Sequence, residues 1–485
     1  MAKKNTLTTD PYQALLKKKA FLRAAPLTYA SASTYPTTMV NEYVDANMPT
    51  MRYQVVTQDK FLAELDPRSH DINNRLIYPD KVIKNADGVI ESITYIARVS
   101  VALQQMIATK QCVHLFAKPP KFTSKRKGDN ELFTNFKEYW TQRNASSALY
   151  LMAKSALTTG DGAICFFFDS SNTLQYKVWS YKDGDMLIPV YKADGVTLDK
   201  FIRRYSSLSE DGTKTQDTID VYSDTKYERL MLDGGKWKRI MEPTSHGFFQ
   251  IPIAYHREPD VAWGSGQDLI DKIERLLSDV RESNAYFAFG ILFLSGDGVT
   301  VLPPKSTQGK TIISDDKDAD AKLLQQTDMA PALKFEFEQY SKELFRTTGT
   351  VVIDPEILKG GDQSGAYIKN LYNDAIQYAM DAKPRWQPVL EKIVSLVKEG
   401  LGREVKKTLE YKSLVVISEP DIYIPMNIAE EIRMVNESAT AGVLSKQTAT
   451  EIHHLGVPDE YERVKKEEQE NKDKINEGLK RETAN

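Results

Sequence analysis

The sequence predicts an α+β fold, in which a β-rich middle section lies between two helical sections. Two patterns carry this prediction. Apolar residues recur every three to four positions over 266–290, and short alternating runs separated by Asp-Gly turns fill 163–242. The chain has 485 residues, which is more than one hydrophobic core usually supports. More than one structural region is therefore expected.

The first helical section contains two predicted helices, over 92–109 and 131–158, and the second is expected to end at Gly160. Seven short β-rich runs follow between 163 and 242, and their Asp-Gly turns predict antiparallel hairpins in a meander. Together, 1–260 is predicted to form one α+β domain.

The second helical section begins with the amphipathic helix over 266–290 and continues with another over 333–349. After a glycine-containing loop comes a long helix, in which Pro384 and Pro388 predict a kink or break. The stretch TLEYKSLVVISE resembles a strand.

Two short helices are expected near the C-terminal end, at 428–440 and 446–455, with Ser445 as the N-cap of the second. The charged tail over 459–482 is expected to be a solvated helix. The chain thus ends in short, mainly polar helices.

The charge balance bears on the partners of the protein. The chain has 64 Lys and Arg against 67 Asp and Glu, a net charge of −3. Proteins that hold DNA through its phosphates normally carry a basic excess. If DNA is a partner, we therefore expect it to slide along this protein rather than to be held tightly.

Few residues indicate enzymatic or metal chemistry. Cys112 and Cys165 lie in apolar surroundings and are expected to be buried reduced thiols. Adjacent His453 and His454 point to different faces of a helix and cannot bind one metal together. No acid/base pair stands out, so we predict a protein that is not an enzyme and has no cofactor or metal. The sequence also lacks a signal peptide and a stretch long enough to span a bilayer, so assembly in the cytosol without a membrane partner is expected.

A nucleotide site is an alternative that two motifs bring forward. PKSTQGKT (304–311) ends in Gly-Lys-Thr, but Pro304 stands where a phosphate-binding loop needs its first glycine. VVIDPE (351–356) resembles a Walker B strand, but Pro355 occupies the place of the catalytic acid. A surface loop is the better interpretation of the first motif, and a DNA-packaging ATPase or nuclease of the terminase type stays the alternative function.

Three stretches in this order resemble the portal, or head–tail connector, family of tailed bacteriophages. They are GSGQDLIDKIERLLSDVRESNAYFAFGILFLSG (264–296), the helix–loop–helix series at 333–402, and the segment PMNIAEE to KKEEQE (425–470). The resemblance implies a portal fold and a cyclic homo-oligomeric ring, usually a dodecamer. The regions it implies are a wing (1–263 and 365–427), a stem (264–290 and 332–349), a clip (291–331), a tunnel loop (350–364) and a crown (428–485).

The same resemblance implies a passive conduit at the unique capsid vertex of the virion. Double-stranded DNA would pass without sequence-specific contacts, driven by the terminase large subunit, while the major capsid protein, scaffold and neck or adaptor proteins would bind elsewhere. A capsid or neck adaptor without DNA contact is a further alternative. The implied tunnel-loop residues are Ile353, Asp354, Pro355, Glu356, Lys359, Gly360, Gly361 and Gln363, and the implied docking residues of the clip are Lys305, Lys310, Asp315, Asp316 and Lys317.

Overall fold

The computed structural model divides the chain into two compact units. Unit 1 comprises Met1–Val351 and Gln377–Tyr423, and unit 2 comprises Val352–Ile376 and Ile424–Asn485. The residues that the structure describes are 57–84, 90–124, 130–208, 215–233, 236–287, 291–295, 320–324, 330–352, 367, 370–423, 428–445, 448–450 and 461–470.

The helices follow the predicted alternation of helical and β-rich sections. Their bounds are Leu103–Phe116 (α1), Asn130–Gln142 (α2), Ala145–Thr159 (α3), Gln267–Phe287 (α4), Ala330–Thr347 (α5), Asn373–Glu404 (α6), Thr408–Ser413 (α7) and Ile428–Thr440 (α8). Residues 57–65 and 461–470 are also helical. Within the described ranges, no helix is long and apolar enough to cross a membrane.

Within the described residues, the strands pair into five antiparallel sheets. Their bounds are Lys81–Lys84 (β1), Ile90–Thr94 (β2), Lys121–Thr123 (β3), Asp161–Phe168 (β4), Leu174–Trp179 (β5), Met186–Tyr191 (β6), Leu198–Leu208 (β7), Thr215–Tyr222 (β8), Lys226–Asp233 (β9), Lys236–Ser245 (β10), Ile253–Arg257 (β11), Ile291–Ser295 (β12), Asp320–Leu324 (β13) and Ile417–Glu419 (β14). The pairs β1–β2, β12–β13 and β3–β14 stand as two-stranded sheets.

All seven strands predicted between 163 and 242 are confirmed, but they do not form one meander. The last five build a five-stranded sheet in the order β10-β9-β8-β7-β6, whereas β4 and β5 join β11 in the order β11-β4-β5. The chain changes sheet after β5 through a short 3-10 turn, Tyr181–Asp183, which ends at Gly184 with a φ of 92°. An Asp-Gly pair marks a turn, but it does not specify that the two flanking strands pair with each other.

The described residues of unit 1 form one large hydrophobic core and two smaller ones. The large core joins α1, α3 and α6, and it buries Trp263 and Trp386 almost completely. A second core lies within the five-stranded sheet, and a third lies between that sheet and β11-β4-β5. Each large apolar side chain that is fully buried contributes about 1.5–3 kcal/mol to folding. The predicted buried, free cysteines are confirmed, with Cys112 in the large core and Cys165 in the third.

The predicted helix over 92–109 is wrong in its first half. Residues up to Thr94 belong to β2, and the helix begins only at Leu103. Between them, side chains bind the backbone in place of helical carbonyls: Val99 N donates to Ser278 Oγ at 2.8 Å and Val101 N donates to Glu274 Oε1 at 2.9 Å. The β-branched residues of this stretch favour extended backbone, which agrees with the observed conformation.

Three other predictions differ in detail. The helix over 131–158 is interrupted at Asn144, whose φ of 51° separates α2 from α3, while Gly160 ends α3 as predicted. TLEYKSLVVISE forms a short helix, α7, before the three-residue strand β14. The long helix α6 continues through Pro384 and Pro388, which excludes the break, while the kink stays a prediction.

In unit 2, the short helices follow the sequence pattern. Helix α8 ends before Gly442, which has a φ of 73°. The predicted N-cap is confirmed, because Ser445 Oγ accepts a hydrogen bond from Thr448 N at 3.1 Å. Residues 461–470 form an almost wholly exposed helix, as expected for a solvated tail segment.

Candidate functional site

Helices α4 and α5, called the stem pair below, form an antiparallel pair in unit 1. At the start of α4, a Cβ added at Gly266 would lie 2.5 Å from Leu344 Cδ1 near the end of α5, which shows how closely the helices approach. Further along, the Lys272 ammonium lies 5.9 Å from the centre of the Tyr340 ring. Residue numbers rise along α4 while they fall along α5, so the second helix reverses the direction of the first. The two predicted amphipathic helices thus cover part of each other's apolar stripe.

Buried side chains anchor the end of the stem pair where α4 begins and α5 ends. Trp263, just before α4, donates from Nε1 to Glu64 Oε2 at 3.0 Å. Gln111 on α1 donates from Nε2 to the carbonyl oxygens of Thr348, at 2.6 Å, and of Ala262, at 3.2 Å. A single buried side chain therefore ties the start of one stem helix to the end of the other, which fixes their relative position.

The junction between α5 and the segment after it is also packed. Gly349 has a φ of 58°, and an added Cβ would lie 2.8 Å from Tyr378 Cβ on α6. Thr350 N donates to the Phe345 carbonyl oxygen at 2.8 Å, and Thr350 is buried. Up to Thr350, the chain is therefore packed within unit 1.

A buried His–Glu pair attaches the N-terminal part of unit 1 to α4. His70 Nδ1 lies 2.6 Å from Glu274 Oε1, and His70 Nε2 lies 2.8 Å from the Glu64 carbonyl oxygen. Burial alone lowers the pKa of His70, but the hydrogen bond and the charge of Glu274 outweigh it, so the pKa is raised. The raised pKa favours a charged imidazole, which donates from both ring nitrogens.

Helix α6 is fixed to β11 by a second buried polar group. Trp386 Nε1 donates to Glu258 Oε1 at 2.8 Å, and His256 Nε2 lies 3.1 Å from the same oxygen. Burial raises the pKa of Glu258, but the hydrogen bond and charge of His256, the charge of Arg385 and the Trp386 bond hold it below its usual value. The charged carboxylate therefore holds the middle of α6, next to its prolines, in a defined place.

A pocket of about 500 Å³ lies between β6–β7, β11 and α6. Its walls are mostly apolar and include Ile253 and Val389, and Lys392 contributes an ammonium group that donates to Gln250 Oε1 at 2.6 Å. Burial lowers the pKa of Lys392. No residue that the sequence predicts as functional lines this pocket.

The residues that the sequence singles out for DNA and docking lie outside the described residues. This holds for the tunnel-loop set, Ile353, Asp354, Pro355, Glu356, Lys359, Gly360, Gly361 and Gln363, and for the clip set, Lys305, Lys310, Asp315, Asp316 and Lys317. The structure describes the positions that lead into both segments. These are the β12–β13 pair, which joins Ile291 to Leu324 in register, and Gly349–Thr350 at the end of α5.

Three features in and around the stem pair were missed in the sequence. The hairpin β1–β2 leaves Val82 and Ile93 exposed, and Phe335 is exposed on α5. A signal was present at Phe335: it is nine positions from Leu344, so the two side chains lie on opposite faces of a helix and cannot share one core. The His70–Glu274 pair had no signal, because 204 positions separate its partners.

The described residues show no arrangement of side chains for catalysis, and no group of three or more His, Cys, Asp or Glu residues among them could hold a metal. What they do show is a helix pair that is held at one end. The two-stranded sheet β12–β13 lies in the segment of chain that connects the two helices.

The comparisons with known proteins identify the family. The family model described as "Phage portal protein, SPP1 Gp6-like" matches residues 53–474, which is most of the chain. The protein is therefore a head–tail connector of a bacteriophage, a structural component of the virion. The chain belongs to the phage portal protein family, as its sequence resemblance implied.

The other two comparisons add little. None of the curated proteins matches the chain. A solved structure described as "Neck of empty GTA particle computed with C6 symmetry" is similar at 16% identity, over 71% of this chain and 86% of that chain, with a TM-score of 0.38. Similarity at that level carries no argument about this chain.

Proposed function

We propose that the protein forms a closed ring of identical subunits, a dodecamer, at the unique vertex of the capsid, and that double-stranded DNA passes through its centre. The observation that carries this proposal is the match to the phage portal family over residues 53–474. The ring conducts the genome into the head during packaging and out of it at ejection. It has no catalytic activity of its own.

The proposed regions follow the element order. The stem pair runs along the channel, the β12–β13 pair begins the clip, α6 belongs to the wing and α8 to the crown. The charge of the chain supports a sliding contact with DNA, because a net charge of −3 provides no general attraction for phosphates. The proposed bounds remain 1–263 and 365–427 for the wing, 264–290 and 332–349 for the stem, 291–331 for the clip, 350–364 for the tunnel loop, and 428–485 for the crown.

The partners are assigned to the two ends of the stem. The clip, through Lys305, Lys310 and the acidic run 315–316, docks the terminase large subunit during packaging and neck or adaptor proteins afterwards. The wing meets the major capsid protein and scaffold, so that the ring nucleates head assembly in the host cytoplasm. The tunnel loop, with Lys359 as a phosphate contact, narrows the channel without reading base sequence.

Electron microscopy of the purified full chain tests this proposal. We expect rings with a central hole, and class averages that show the number of subunits. Sedimentation of the same sample measures the mass of the assembly in solution. If the chain stays monomeric under every condition of salt, concentration and scaffold addition, the channel proposal is wrong.

A further inference from the structure

The pocket between β6–β7, β11 and α6 has the features of a ligand site that the proposed function does not use. Its volume is about 500 Å³, and apolar side chains form most of its walls, among them Leu198, Ile253 and Val389. Of the residues that line it, Lys392 of α6 carries the one amino group. Small-molecule sites in proteins commonly combine apolar walls with a few polar groups that fix the orientation of the ligand.

The amino group of Lys392 lies at the wall of this pocket. Its Nζ donates a hydrogen bond to Gln250 Oε1 at 2.6 Å. The charge of Asp224, in the turn between β8 and β9, also acts on it. Gln250 and Asp224 both line the pocket, so the nitrogen lies close to two lining residues from different elements. A molecule in the pocket is therefore within reach of Nζ.

Gln250 is itself held by α6, which fixes the direction of its carbonyl group. Its Nε2 donates to Ser395 Oγ at 3.0 Å and to Glu399 Oε2 at 2.8 Å. The other oxygen of Glu399 accepts a hydrogen bond from Phe249 N. Because the amide donors of Gln250 are directed to α6, its oxygen serves as the acceptor for Lys392. The network thus holds the amine in one place before any ligand binds.

Burial also changes the protonation of Lys392. Loss of water around the charged form lowers its pKa, and the charges of Glu399 and Asp224 offset only part of this effect. Besides Asp224, the titratable side chains that line the pocket are Tyr191 and Tyr255, and burial raises the pKa of Tyr255 well above its ordinary value. A neutral lysine amine is a nucleophile, and a hydrophobic pocket is one environment in which proteins activate it.

We infer that Lys392 is a covalent modification site for aldehydes with an apolar body. The ammonium first gives one proton to solvent, and the neutral amine then attacks the carbonyl carbon to form a carbinolamine. Loss of water gives an imine: a C=N bond replaces the C=O bond, and the water takes the carbonyl oxygen with the two hydrogens of the amine. The apolar walls hold the body of the aldehyde. This inference goes beyond the proposed function and does not depend on ring formation.

Reductive alkylation of the full chain tests the site. The protein is treated with hexanal or with formaldehyde in the presence of cyanoborohydride, which reduces the imine to a stable amine, and mass spectrometry measures the rate at each lysine. The rate at Lys392 relative to that at exposed Lys182 should be at least about tenfold greater with hexanal than with formaldehyde, the effect of burying about two methylene groups.

The pH dependence of the same reaction provides a second measurement. Because the neutral amine is the reacting form, the rate at Lys392 should reach half its maximum at a lower pH than the rate at Lys182. Lys392→Met should abolish the modification that prefers hexanal. The matched control Lys398→Met, at a position of α6 outside the pocket lining, should retain it.

Two results would overturn the inference. One is the same preference for hexanal at Lys392 as at Lys182, which would mean that the pocket does not hold the body of the aldehyde. The other is half-maximal rates at the same pH for both lysines, which would mean that the pocket does not activate the amine. Rings in the electron microscope, or their absence, test the proposed function alone, so the two failures are distinguishable.

Discussion

Two glycines, Gly195 and Gly349, have similar left-handed backbone conformations but are packed differently. Gly195, in the turn between β6 and β7, has a φ of 68° and no atom within 4 Å of an added Cβ. Gly349, at the end of α5, has a φ of 58°, but an added Cβ would approach Tyr378 Cβ to 2.8 Å. The backbone requirement is thus similar at both positions, and only the packing differs.

Replacing each glycine with alanine separates the two effects. We expect Gly195→Ala to lower the free energy of unfolding by about 1 kcal/mol, the cost of a left-handed alanine. Gly349→Ala should lower it by about 1–3 kcal/mol more, because Tyr378 must move to admit the methyl group. Denaturant unfolding of both variants measures the difference. Equal losses would show that the junction is loosely packed.

At the scale of elements, polar side chains hold the stem in place. The carboxylate of Glu274 on α4 accepts hydrogen bonds from His70 Nδ1 and from Val101 N, and Ser278 Oγ accepts one from Val99 N. These bonds attach the segment before α1 to the stem helix. The position of the hairpin β1–β2, which precedes this segment, depends on this attachment.

The attachment should depend on pH. The folded-state pKa of His70 lies above its ordinary value of 6.5, so the charged pair stabilises the fold fully below that pH. This stabilisation is lost as the pH rises through the folded-state pKa. We expect the thermal midpoint of the wild type to fall more between about pH 6 and pH 9 than that of His70→Gln.

His246 provides the control with the opposite sign. Burial lowers its pKa, so its contribution is present above the ordinary histidine pKa and is lost as the pH falls. His246→Gln should therefore show a larger fall of the midpoint over the same rise in pH than the wild type does. Identical profiles for all three proteins would contradict the role assigned to the His70–Glu274 pair.

At the scale of the whole molecule, the proposed channel requires a segment that meets DNA. The chain is packed as far as Thr350, and the segment that follows contains Lys359, which is our proposed phosphate contact. A single ammonium in a nearly neutral chain would interact with passing DNA briefly and without sequence preference.

Charge reversal at this position tests the contact. Lys359→Glu should reduce the yield of DNA-filled heads, because it places a negative charge beside the phosphates, whereas Lys359→Arg should retain the yield. Counting filled and empty particles by electron microscopy gives the measurement, and ring formation by each purified variant shows that assembly is intact. Equal yields from both variants would remove Lys359 from the channel.

The sequence by itself determined the elements whose signal is local. Residues within a few positions of one another set each of these elements. They are the apolar periodicity of α4 and α5, the seven strands between 163 and 242, the end of α3 at Gly160 and the N-cap at Ser445. The order of these elements also carried the resemblance to the portal family, which the family match confirms. The tunnel-loop and clip residues stay predictions.

Only the tertiary structure decided which distant segments of the chain contact one another. It divided the seven strands between two sheets, kept 95–102 out of a helix, and placed His70 on Glu274 across 204 positions. It also showed that Val82, Ile90, Ile93 and Phe335 are exposed within the described part of the chain. Periodicity tells which side of an element is apolar, but what covers that side depends on contacts between residues far apart in the chain, and no local pattern records them.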